Sequence, residues 1–140
     1  MDAFSTPRNR TFSFMLLGIG GVSAIAAAAL GIDDNPPGAL LAYLAALCFV
    51  LAFVHPWRTV SRFGVLLGAS VLGIVLFIAL DIASNSIAQN PATSSWLLDL
   101  MESRAYDALI VAFTMLILAT LLVGAVGTVA MFIRSRRRPM

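Results

Sequence analysis

The chain has no lysine, one cysteine, one histidine and few charges of any kind. Only 11% of its 140 residues are charged, where soluble domains carry about a quarter. Cys48 can form no internal disulfide and has no CxxC or Cys/His cluster around it, so it reads as a small buried hydrophobe. His55 ends an apolar run rather than standing inside one. Haem ligation in a bundle needs a His well inside a span, and a metal site needs several ligands. P-loop, GxSxG and HExxH patterns are missing. The single His also stands on the opposite side from nearly every carboxylate. We therefore expect neither an enzyme nor a bound cofactor or metal, and no nucleic-acid partner. Gly 10 and Pro 6 are ordinary counts, which excludes collagen-like and disordered chains.

What is present is apolar. At 60% hydrophobic residues, a soluble domain of this length would lack the polar cover its surface demands. The apolar residues fall in four runs, at about 12–31, 38–55, 63–80 and 108–133. A helix rising 1.5 Å per residue crosses a hydrocarbon core of about 30 Å in about 20 residues. Lipid offers no partners to backbone polar groups, so spans are helices or closed barrels. Continuous rather than alternating runs exclude the barrel. The first run follows Arg8 and Arg10 and carries small residues at Ala27, Ala28 and Ala29, as a signal peptide would. Its apolar stretch is longer than a typical signal core, so it is read as a span.

The scarce charges are sorted. Arg8 and Arg10 precede the first run, Arg58 and Arg62 lie between the second and third, and Arg134, Arg136, Arg137 and Arg138 follow the fourth. Only Arg104 lies on the other side. Asp33, Asp34, Asp81, Asp99, Glu102 and Asp107 all fall there, leaving Asp2 with the arginines. Basic residues near span ends stay cytoplasmic. The expected architecture is therefore an all-α membrane protein, a four-transmembrane-helix bundle with both termini inside. All nine basic residues are Arg, a usage common in GC-rich bacterial genomes, so the expected location is a bacterial cytoplasmic (inner) membrane.

The longest outer segment reads as a loop over 88–95, then an amphipathic helix over about 94–107. Trp96, Leu97, Leu100, Met101 and Ala105 recur at helical spacing, while Asp99, Glu102 and Arg104 fill the other face. It is expected either to lie in the interface or to extend the fourth span. Small residues mark packing faces: Gly20 and Ala24 in the first span, the GxxxG of Gly64 and Gly68 in the third, and Gly124 and Thr128 in the fourth. Packing within the chain is the favoured role for that GxxxG. Leu16-Leu17-Gly18 recurs as Leu66-Leu67-Gly68, which would make the first and third spans equivalent if the chain holds a two-hairpin repeat.

Ionisable groups deep in a membrane would be functional candidates. The nearest are Asp81 and His55, at opposite ends of spans, and they are the only candidates for an ion path. Trp57, Trp96, Asp99, Glu102 and Arg104 are candidates for partner or lipid contact. The basic tail over 134–140, with Arg134, Arg136, Arg137 and Arg138, is expected to attract anionic lipid headgroups. These features favour a small non-catalytic accessory, structural or assembly subunit, in contact with the bilayer and with other membrane subunits or itself. The alternatives are a small oligomeric transporter, channel or lipid-linked-substrate translocator, and a holin-like lysis protein.

Overall fold

The computed structural model describes residues 6–32, 35–89, 95–101 and 103–136, and all of its regular elements are helices. They are α1 (Pro7–Leu30), α2 (Pro36–Val54), α3 (Val60–Ala88), α4 (Ser95–Met101) and α5 (Arg104–Arg136). Four of them, α1, α2, α3 and α5, are long and apolar enough to cross a membrane. Large side chains such as Val22, Ile25, Val65 and Leu109 are exposed around them, as lipid contact allows and water does not.

Each helix outruns its apolar run where local chemistry permits. Helix α1 begins at Pro7, ahead of the apolar residues, because Thr6 caps it. The Asn9 amide donates to Thr6 Oγ1 at 3.2 Å, and proline suits the first turn. At the other end, Gly31 adopts a positive φ of 78°, and Asn35 Nδ2 donates to the Leu30 carbonyl at 2.8 Å. Pro36 and Pro37 then open α2. Helix α3 continues past Asp81 because no breaker intervenes. Asn85 and Ser86 donate to the carbonyls of Asp81 and Ile82 one turn back.

The segment expected over 94–107 is divided. Ser103 Oγ donates to the Leu100 carbonyl at 2.7 Å, closing α4, and accepts from the Tyr106 amide at 3.2 Å, capping α5. Both α4 and α5 therefore meet at Ser103, and neither simple expectation for this segment describes it fully.

The spans form two antiparallel hairpins. In the first, Gly20 lies against Cys48 and Ala45, and Gly38 lies against Gly31. In the second, Gly124 lies against Leu67 and Gly127 against Phe63. The hairpins join along α2 and α5, so the packing order is α1–α2–α5–α3, and α1 and α3 stand at opposite ends of the row. The core gathers at this junction, where Ala46, Val50 and Val54 of α2 meet Phe63 and Ala119. The Leu-Leu-Gly recurrence falls on α1 and α3, the outer member of each hairpin. Residues 11–20 and 61–70 also alternate between buried and exposed in the same order.

Several hydroxyls inside the spans are satisfied locally. Ser70, Thr114, Thr120 and Thr128 each donate to a carbonyl of their own helix. Ser13 differs. It is fully buried, and its Oγ donates at 2.7 Å to the Ala52 carbonyl of α2. In a continuing helix that carbonyl would receive the amide of residue 56, which is proline and has none. Ser13 therefore supplies the donor that Pro56 withholds.

Candidate functional site

Alternating helix directions bring the start of α1, the α2–α3 turn and the end of α5 to one end of the molecule. Arg8, Arg10, Arg58, Arg62, Arg134 and Arg136 are all at this end. Two clefts open there, and Arg58 lines both. The first, about 620 Å³, is lined by Arg8, Asn9, Thr11, Phe12, Met15, His55 and Arg58. The second, about 580 Å³, is lined by Arg58, Thr59, Val60, Met131, Arg134 and Ser135.

His55 is held by the turn that ends α2. Its amide donates to the Leu51 carbonyl at 3.0 Å, and its ring packs on Phe12 with centroids 4.9 Å apart. Both ring nitrogens are shielded from solvent and have no hydrogen-bond partner among the described residues. A shielded polar group without a partner costs about 1–3 kcal/mol, so this ring is poised to gain from an added polar neighbour. Trp57 is half-buried and meets Phe63 edge-on at 5.6 Å, so it belongs partly to the core. Arg136 lies over the Phe132 ring of its own helix at 4.6 Å.

The opposite end carries the described acids, Asp81, Asp99 and Asp107. Asp81 is exposed on α3, within 3.5 Å of Asn85 Nδ2. One turn on, Ser84 and Tyr106 join α3 to α5 through their hydroxyls at 3.3 Å. Trp96 and Asp99 are exposed on α4. Asp33, Asp34, Glu102, Arg137, Arg138 and the side chain of Arg104 lie outside the described residues. Asp81 and His55 are not brought together. The α3 residues between Val60 and Asp81 alone span roughly 30 Å of helix rise. Among the described residues, no three of His, Cys, Asp and Glu converge as metal ligands.

The small residues separate into two groups. Gly20 and Gly124 sit at helix crossings. A Cβ at Gly124 would come within 2.9 Å of the Leu67 amide nitrogen, and one at Gly20 within 3.2 Å of Cys48 Cβ. Ala24 lines an apolar groove between α1, α2 and α5. Thr128 donates within α5 to the Gly124 carbonyl at 2.7 Å. Gly64 and Gly68 have nothing within 4 Å of where a Cβ would stand, and the same is true of Gly18. The favoured role of the GxxxG, packing within the chain, is thus corrected: α3 turns Gly73 toward Ile117 of α5 and leaves the GxxxG face open.

The sequence reading missed Ser13 and Gly38, and it took Arg8 and Arg58 only as topology signals. The Pro56 four residues after Ala52 was the available clue to Ser13. The fold defines a multi-pass, all-helical membrane protein with four candidate spans. Protein-family models, curated proteins and solved structures provide no match to this chain.

Proposed function

We propose that the chain is a non-catalytic integral membrane subunit, completed by packing against other protein in a larger bacterial membrane complex. The observation that carries this reading is the open GxxxG face of α3 at one end of the helix row. In lipid, helices gain little from apolarity alone, and small residues stabilise association by admitting close backbone contact. Gly64 and Gly68 make no such contact among the described residues, so a second helix seated there would gain it. The arginine end faces the cytoplasm, with both termini inside, following the preference of basic residues for that side. Helix α4, with Trp96 exposed, lies in the opposite interface, where an indole ring is favoured.

Extraction in a mild detergent followed by sizing and stoichiometry tests the reading. A fixed complex with larger membrane subunits is expected, lost in Gly64→Leu/Gly68→Leu while the isolated chain keeps its helicity. A homo-oligomer enclosing a polar path would instead support the transport alternative and overturn this one.

A further inference from the structure

We propose that the cleft between Arg8, His55 and Arg58 is a binding site for a phosphate ester carrying an apolar tail, the chemistry of an anionic phospholipid. Three observations converge on it. Two guanidiniums from separate elements, the first turn of α1 and the α2–α3 turn, line one cleft of about 620 Å³. Arginine holds phosphate oxygens through paired, charge-assisted hydrogen bonds. His55 lines the same cleft, and neither ring nitrogen has a hydrogen-bond partner among the described residues; a small side-chain shift that uncovers its one N–H would let it donate to an ester oxygen. Phe12 and Met15 line it one and two turns further into the membrane-spanning part of α1, where an acyl chain would run. Asn9 and Thr11 also line it.

The site is distinct from the basic tail, whose Arg134 lines the neighbouring cleft and whose Arg136 lies over Phe132. A tail held by diffuse attraction would respond to total charge. The cleft would respond to the particular pair Arg8 and Arg58. A free phosphate ester would satisfy the same polar atoms but leave Phe12 and Met15 without a ligand contact.

The test uses the full chain in neutral phosphatidylcholine nanodiscs and in detergent. Native mass spectrometry reads retention of added phosphatidylglycerol, for the wild type and for R8Q/R58Q and R134Q/R136Q variants. Retention is expected to fall about tenfold or more in R8Q/R58Q, since charge-assisted hydrogen bonds of this kind each correspond to roughly that factor. R134Q/R136Q is expected to stay within about twofold of the wild type, because neither guanidinium lines the cleft and Arg136 lies over the Phe132 ring of its own helix. Equal loss in both variants, or none in R8Q/R58Q, overturns the proposal. Hydrogen exchange on the wild type gives a second reading that needs no variant. Phosphatidylglycerol, but not phosphatidylcholine, is expected to protect amides over 8–15 and 55–58, and equal exchange in the two lipids overturns the site. Glycerol 3-phosphate in a parallel arm separates the sources. Protection equal to that of the lipid assigns a soluble ester, and protection by the lipid alone assigns the headgroup.

Discussion

Replacing Ser13 by alanine removes a hydrogen bond between two membrane helices, and Pro56 provides the internal control. The Ser13 hydroxyl donates to the Ala52 carbonyl at 2.7 Å, and both residues are fully buried. A buried acceptor left unpaired costs about 1–3 kcal/mol in proteins generally. Interhelical hydrogen bonds measured within membranes average about 0.6 kcal/mol and reach about 1.7. Ser13→Ala should therefore destabilise the chain by about 1 kcal/mol, read from unfolding in mixed micelles titrated with dodecyl sulfate and followed by far-UV circular dichroism. Part of that loss is the small void left by the hydroxyl, which is not the bond. Pro56→Ala separates the two contributions. His55 has helical φ and ψ of −52° and −32°, so an alanine at 56 can carry the amide back to Ala52. In that background, Ser13→Ala removes a donor that is no longer needed and should cost less than about 0.5 kcal/mol. Equal cost in both backgrounds would refute the idea that Ser13 compensates for Pro56.

Further outcomes follow from the same geometry. Gly38→Ala should destabilise the first hairpin by about 1–3 kcal/mol or more, because its Cβ would run into the Gly31 carbonyl; the same unfolding assay measures it. Gly64→Ala and Gly68→Ala should be neutral or stabilising by up to about 1 kcal/mol in the isolated chain, since no neighbour stands within 4 Å and alanine favours helix. Ser103→Ala should remove the cap of α5, costing about 1 kcal/mol and speeding amide exchange over 104–107. His55→Leu in neutral lipid should be stabilising or neutral, because it removes two ring nitrogens without partners; a loss above about 1 kcal/mol would mean that the imidazole holds the turn.

The spans were legible in the sequence because lipid demands long apolar helices, and the four runs met that demand. Their ends were less so. Thr6-Pro7 and Ser103 set helix starts through capping, which an apolar-run reading does not weigh. The packing order α1–α2–α5–α3 was hidden for a different reason. A helix in lipid is apolar on both its buried and its lipid-facing sides, so no amphipathic stripe says which side meets a neighbour. Gly20, Gly64 and Gly124 look alike in sequence, yet only Gly20 and Gly124 lie at crossings. Arg8, Arg10, Arg58, Arg62, Arg134 and Arg136 share one end, but a one-dimensional count cannot show that Arg8 and Arg58 share a cleft with His55.

The most direct test of the account is the side of the membrane on which each end of the helix row lies. Single cysteines at Thr59, Gln89 and Ser135, placed in a Cys48→Ala chain, can be probed in intact cells with a membrane-impermeant maleimide. Gln89→Cys is predicted to label from outside, and Thr59→Cys and Ser135→Cys only after permeabilisation. Labelling of Thr59→Cys and Gln89→Cys from the same side would contradict a membrane-crossing α3. Labelling of Thr59→Cys and Ser135→Cys from outside, with Gln89→Cys protected, would contradict a cytoplasmic arginine end.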